Sequence, residues 1–181
     1  MMERHGIFAF ATPSLLAMLT GCASSMGTVP VVPDSLKAPP TQKLALETRA
    51  SGVQIYECKA SKDNPARFEW VFVAPEAELF DSAGKKIGKH YAGPTWESND
   101  GSKVVGEVKA RDDGPDANAI PWLLLSAKST AGTGQLGRTA SIQRVQTVGG
   151  KAPADGCSQA QAGKEARVPY EAWYYFYIVQ S

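Results

Sequence analysis

The stretch GKHYAGPTWESNDGSKVVG at residues 88–106 indicates how this chain folds. It contains two turn signals, Gly93-Pro94 and Asp100-Gly101, and the Asp-Gly pair fits a tight turn whose backbone needs a positive φ angle. The segment KVVGEVKAR at residues 103–111 then alternates apolar and polar side chains, which is typical of a β-strand. The stretch therefore predicts a β-hairpin with its turn at residues 99–102.

The sequence on both sides of this hairpin also has the pattern of β-strands. Residues 53–58 (VQIYEC) and 67–73 (RFEWVFV) alternate with a period of two, and residues 168–179 (VPYEAWYYFYIV) are dense in aromatic side chains. The nearly continuous apolar run at residues 120–128 (IPWLLLSAK) predicts a central strand that is buried on both faces. We expect an all-β domain, a single β-sandwich or β-barrel of about eight to ten short, mostly antiparallel strands.

The first residues of the chain predict a lipid anchor. A mostly apolar run at residues 6–19, too short to span a bilayer, is followed by Leu19-Thr20-Gly21-Cys22, which resembles the lipobox of bacterial lipoproteins. In that motif the cysteine thiol is acylated. We expect a lipoprotein signal peptide over residues 1–21 and lipid on Cys22. A simple signal peptide cleaved near Ser25, or an N-terminal apolar helix of the fold, are the alternatives.

The residues after Cys22 predict a linker to the domain. Residues 22–40 are small, polar and rich in proline, which favours an extended tether, and residues 41–181 are expected to form the single β domain. No aspartate follows Cys22 in the next two positions. This resembles the pattern of lipoproteins that are sent to the outer membrane, so the domain is expected to face the periplasm.

Charge and cysteine content agree with a cell-envelope protein. The formal net charge of the 181 residues is +1, which does not favour nucleic acid as a partner. Three cysteines are present, and if Cys22 is lipidated, Cys58 and Cys157 are expected to form a disulfide in an oxidising compartment. Such a bridge would make the first and last strands neighbours. Two separate buried thiols are the alternative.

Candidate functional residues are concentrated in the stretch at residues 88–106. His90 is a candidate general base or ligand-binding residue, because Glu97 or Asp100 could fix the tautomer of its imidazole ring. Tyr91 and Trp96 lie beside it and complete the candidate binding or catalytic set. The alternative is that His90 bonds a loop carbonyl and Trp96 belongs to the core.

Two further patterns are interpreted as structural, so we expect no cofactor and no metal. The sequence GTGQLG at residues 132–137 matches a dinucleotide-binding fingerprint, but the residues after it predict a strand and no helix that would face a pyrophosphate. No dinucleotide is therefore expected. Asp112, Asp113 and Asp116 lack the spacing of a standard calcium loop and predict a solvated turn.

Short motifs spread along the domain resemble one known family. They are GVQIYEC at 52–58, HYAGPTW at 90–96, DGS at 100–102, IPWLLL at 120–125, IQRV at 142–145, GG at 149–150 and VPY at 168–170. Together they resemble the uncharacterised family catalogued as domain of unknown function 3455, from about Val32 to Ile178. The resemblance implies a secreted or envelope protein and no known activity.

These observations predict an envelope lipoprotein whose β domain is a non-catalytic binding or structural module. Its expected partners are the membrane, through the lipid anchor, and a small molecule or an envelope protein. The alternative is a small periplasmic hydrolase or isomerase that uses His90 with Glu97 or Asp100.

Overall fold

Eight antiparallel β-strands form one sheet that closes on itself as a ring. The structure is a computed structural model and describes residues 1–2 and 30–180. Each strand pairs with the next one along the chain, and β8 also pairs with β1. The strands are β1 (Gln42–Ala60), β2 (Phe68–Phe80), β3 (Lys86–Tyr91), β4 (Thr95–Ser98), β5 (Lys103–Asp112), β6 (Trp122–Ala131), β7 (Thr139–Gly149) and β8 (Glu165–Val179).

The predicted all-β architecture is confirmed, including the hairpin that the opening stretch indicated. Strands β4 and β5 flank a turn at residues 99–102, and Gly101 has a φ angle of 85°. Only glycine adopts such a backbone without steric cost. The choice between two packed sheets and one closed sheet, which the sequence left open, is resolved as one closed ring of eight strands.

The first and last strands are neighbours, and a disulfide joins β1 to the loop that precedes β8. Strand β1 pairs with β8 along almost its whole length, from Gln42 opposite Val179 to Glu57 opposite Glu165. Cys58, near the end of β1, is bonded to Cys157 in the loop before β8, and their Cα atoms are 5.4 Å apart. Both the predicted bridge and the predicted strand adjacency are confirmed.

The interior of the ring is the main hydrophobic core. Because side chains alternate across a strand, every second residue of each strand points inward. The Trp96 ring meets the rings of Tyr174 and Phe176 there edge to face, with centroids 5.2 and 6.1 Å apart. Space for Trp96 comes from Gly106, where an added Cβ would lie 2.9 Å from the indole ring.

The predicted central strand is wrong. In β6 only Leu125 is buried, and the other residues are intermediate or exposed. A closed ring has no central strand, so the apolar run at residues 120–128 has one face in the core and one face outside. Strand β8 has the longest continuous buried run of the eight strands, since the four residues at 174–177 are each 5% exposed or less.

An N-terminal strap, residues 32–38, explains the burial of β8. Val32 and Ala38 pack on a second apolar cluster that includes Val145 and Tyr175, on the outer face of the sheet. Leu36 lies in a 3-10 turn (Asp34–Leu36) and is fully buried. The last part of the segment predicted as a tether therefore packs against the ring. Residue Cys22 and most of the predicted signal peptide lie outside the described residues, and none of the helices in the part described is long and apolar enough to cross a membrane.

Candidate functional site

A cavity of about 590 Å³ opens at one end of the ring, and all eight strands contribute to its wall. Its volume lies within the range of about 300–1,000 Å³ that is usual for small-molecule pockets. The apolar part of the wall includes Phe72, Val73, Pro75, Val108, Leu123 and Leu125. The polar and aromatic part includes Gln54, Tyr56, His90, Trp96, Arg144 and Tyr174.

The mouth of the cavity is apolar and accessible to solvent. Phe72 and Val73 on β2 and Val108 on β5 are 50%, 46% and 51% exposed. These are among the few large apolar side chains in the described residues with such exposure, and all three line the cavity. The exposed part of the apolar wall therefore lies on β2 and β5.

Arg144 brings a positive charge into the cavity wall. It lies on β7 opposite Leu123 of β6 and Tyr174 of β8, both of which also line the cavity. Its Nε and Nη2 atoms donate hydrogen bonds to the carbonyl oxygen of Pro121, at 3.1 and 2.8 Å. Within the described part of the chain, Arg144 forms no ion pair with a carboxylate.

Several buried polar atoms in this region have no hydrogen-bond partner among the described residues. They include the side-chain amide nitrogen of Gln54, the indole nitrogen of Trp96 and the hydroxyl of Tyr174, all from cavity-lining residues. The hydroxyl of Tyr170 is unpartnered too. Buried donors without partners are uncommon in native proteins and each costs about 1–3 kcal/mol. These groups make this part of the cavity wall polar.

His90 is buried beside the cavity and is bonded to the backbone. Its Nδ1 atom lies 2.8 Å from the carbonyl oxygen of Thr95, which can only accept, so Nδ1 carries the proton. The imidazole stacks on the Trp96 indole with centroids 4.3 Å apart and planes 12° from parallel. Burial lowers the pKa of His90 to about 3, and the ring is therefore neutral at physiological pH.

The predicted combination of His90 with Glu97 or Asp100 is not formed. His90 pairs with Trp96 across β3 and β4, whereas Glu97 pairs with Lys89, one position along the strands. Because successive side chains point to opposite faces, Glu97 lies outside the ring while His90 lies inside. Glu97 accepts a hydrogen bond of 2.6 Å from the hydroxyl of Tyr91, which holds the pKa of its carboxyl below the usual range.

Asp100 has a structural role at the other end of β4. Its carboxylate accepts hydrogen bonds from the hydroxyl and main-chain nitrogen of Ser102, at 2.5 and 2.8 Å, and from the main-chain nitrogen of Gln135 at 2.8 Å. These bonds lower the pKa of Asp100 to about 2. The glycine-rich loop at residues 132–137 is thus attached to the β4–β5 turn, and its Leu136 enters the core.

Of the residues that line the cavity, the sequence analysis singled out His90 and Trp96 but not Gln54, Arg144 or Tyr174. A signal for Arg144 was present, because Ile142 and Arg144 are two positions apart on an alternating strand and therefore share a face. Ile142 is fully buried in the core, so the charged neighbour points in the same direction. Among the described residues, no cluster of three or more His, Cys, Asp or Glu side chains is suited to hold a metal ion.

Comparison with known proteins gives one family. No curated protein and no solved structure matches the chain significantly. A family model described as a protein of unknown function matches residues 39–178, which include all eight strands except the last residue of β8. The chain therefore belongs to the DUF3455 family of proteins of unknown function.

Proposed function

We propose that this protein is a non-catalytic binding module that holds one small molecule in the cavity at the open end of the ring. The observation that supports it is the presence, in one accessible cavity, of an apolar wall together with buried polar groups that have no partner among the described residues. Binding pockets combine these two features, because the apolar wall contributes affinity and the few polar groups fix the orientation of the ligand.

The size of the ring supports this proposal. A closed sheet of about eight strands has an interior that is either filled by side chains or just wide enough for one small ligand. Here part of the interior is filled by Leu136, Ile142 and Phe176, which are fully or almost fully buried and do not line the cavity. The rest of the interior keeps a cavity of about 590 Å³. The ring is therefore wide enough to hold one small molecule beside a packed core.

A catalytic function is not proposed. General acid or base catalysis needs a group that changes protonation near the working pH and reaches a reacting proton. His90 is neutral over that range and its Nδ1 proton is held by Thr95. Glu97, the nearest predicted partner, lies on the outer face.

The proposed location is the periplasmic side of the outer membrane, with a lipid on Cys22. It rests on the lipobox-like Leu19-Thr20-Gly21-Cys22 and on the absence of aspartate in the two positions after it. The disulfide between Cys58 and Cys157 agrees with an oxidising compartment. In this arrangement the lipid would keep the binding domain at the membrane surface.

The experiment that tests binding is a thermal-shift screen of small molecules with a cavity-blocking variant. A ligand that binds only the folded state raises the apparent melting temperature. Val108→Trp adds a large side chain at the half-exposed mouth and should abolish the shifts. Val179→Trp changes a similarly exposed valine at the end of β8, outside the cavity lining; it is the matched control and should leave the shifts unchanged. Shifts that survive Val108→Trp, or a screen with none, would refute the proposal.

A further inference from the structure

The positive charge of Arg144 is unusual for its surroundings. Its side chain is partly buried in the cavity wall, and its hydrogen bonds go to an uncharged acceptor, the carbonyl oxygen of Pro121. Removing a charge from water without a counter-charge is costly. In the part of the chain that the structure describes, every carboxylate lies beyond ion-pair distance of Arg144.

The titratable groups around this charge are neutral and cannot compensate it. Tyr56, Tyr174 and Tyr170 all have pKa values raised by burial, so their hydroxyls stay protonated. Burial also keeps His90 unprotonated, with a pKa of about 3. The cavity therefore has a net positive charge that neutral walls do not screen.

The second arginine of the cavity provides an internal comparison. Arg111 also lines the wall, but its side chain is 64% exposed and its Nη2 atom lies 3.2 Å from the carboxylate of Asp113. Its charge is thus both hydrated and paired. Only Arg144, of these two, keeps an uncompensated charge at the cavity.

The other polar groups that line the cavity can also donate hydrogen bonds. Arginine has five N–H donors, and two of those of Arg144 are used on Pro121. The Trp96 indole is a donor only, and the Gln54 amide nitrogen and Tyr174 hydroxyl can also donate. A carboxylate is the complementary group, because it carries one negative charge and accepts several hydrogen bonds.

We propose that the cavity binds a carboxylate with an apolar body, whose carboxylate lies against Arg144 and whose body lies along Leu123, Leu125, Val108 and Phe72. This inference rests on the proposed binding function and names the class of its ligand. The apolar wall leads from β6 to the exposed mouth at Phe72 and Val108. An aliphatic chain or an aromatic ring system fits that wall, and the charged head determines the orientation.

The first test compares head groups on the unchanged protein. Decanoate and 2-naphthoate are titrated by calorimetry against 1-decanol, 2-naphthalenemethanol and decyltrimethylammonium, all below concentrations at which micelles form. We expect at least one carboxylate to bind about tenfold or more tightly than the alcohol of the same body. The cationic probe should show no binding, because it meets the charge of Arg144.

The second test removes the charge. Arg144→Gln should weaken the carboxylate about tenfold or more and leave the matching alcohol within about threefold. Arg144→Lys keeps a cation and should retain part of the preference. Arg49→Gln is the control, because Arg49 pairs with Glu171 and does not line the cavity, and it should bind like the unchanged protein. Urea unfolding of each variant identifies any that do not fold. The comparison of head groups in the first test uses only the unchanged protein, so it does not depend on the folding of the variants.

The outcomes separate this inference from the proposed function. An alcohol that binds as tightly as its carboxylate, with binding blocked by Val108→Trp, overturns the inference and keeps the cavity as a binding site. The inference is also overturned, and the cavity is kept as a binding site, if compounds from the thermal-shift screen bind in the cavity and neither decanoate nor 2-naphthoate does. If no probe and no library compound binds, both proposals fail.

Discussion

The Nδ1 atom of His90 lies 2.8 Å from the carbonyl oxygen of Thr95, so the imidazole ties together the two ends of the β3–β4 turn. The bond fixes the neutral tautomer with the proton on Nδ1. Stacking on Trp96 then removes the ring from water. His90 is therefore a buried neutral group whose protonation is coupled to unfolding.

We expect the free energy of unfolding to fall as the pH is lowered from 6.5 to 4.5. The pKa of His90 is about 3 in the folded protein, against an ordinary value of 6.5, so the unfolded chain binds a proton that the folded one does not. The contribution of His90 to stability is fully present above pH 6.5. It is lost progressively toward pH 3, by at most about 1.4 kcal/mol per pH unit. Urea titrations at several pH values measure this slope.

The variant His90→Phe tests whether His90 causes this dependence of the free energy of unfolding on pH. It keeps an aromatic ring against Trp96 but has no titratable group, so the slope between pH 6.5 and 4.5 should largely disappear. Asp100 and Glu97 have lowered pKa values and contribute mainly at lower pH. An equal slope in both proteins would show that His90 is not the group responsible.

Asp100 should stabilise the glycine-rich loop. Asp100→Ala removes acceptors for Ser102 and for the Gln135 main chain, and we expect a loss of about 1–2 kcal/mol in the free energy of unfolding. Hydrogen exchange at the Gln135 amide should also become faster. Asp113→Ala, which removes an exposed carboxylate, is the control, and equal exchange in the two variants would contradict this role.

Much of the fold follows from local patterns in the sequence. Alternation and turn residues such as Asp100-Gly101 are local signals, and they correctly predict β4, β5 and the turn between them. The cysteine count correctly predicts the bridge between Cys58 and Cys157 and the pairing of β1 with β8.

The burial of single strands depends on what covers their outer face, and that is not a local property. The run at residues 120–128 looks like a central strand, but only the arrangement of the ring and the strap decides how exposed it is. The relative placement of the candidate site residues is not a local property either. His90 and Glu97 are seven positions apart in sequence, and only the register of β3 with β4 shows that they face opposite sides.

The N-terminal strap should contribute to the stability of the ring. Leu36→Ala removes a fully buried side chain, and we expect a loss of about 2–4 kcal/mol in the free energy of unfolding. Val31→Ala is the control, because Val31 is 95% exposed, and it should change stability by less than about 0.5 kcal/mol. Similar values for the two variants would mean that the strap is not bound to the ring in solution.

The disulfide should stabilise the loop between β7 and β8. Replacing both Cys58 and Cys157 by serine should cost about 2–5 kcal/mol, since the bridge restricts a long loop in the unfolded chain. Trp70 still donates a hydrogen bond to the carbonyl oxygen of Asp155, so the loop keeps one attachment. Unfolding with and without reductant measures the difference. Two free thiols in the protein purified from the periplasm would contradict the bridge.

Membrane retention should depend on Cys22, which lies outside the described residues. In bacterial cells, Cys22→Ser removes the thiol that a lipid would modify, so the protein should move from the membrane fraction to the soluble fraction or keep its signal peptide. Ser25→Ala, three residues further along, leaves the lipobox-like residues intact and should stay with the membrane. Fractionation followed by mass analysis of the mature N-terminus distinguishes these results. Cleavage near Ser25, with soluble protein from the unchanged sequence, would favour a simple signal peptide instead.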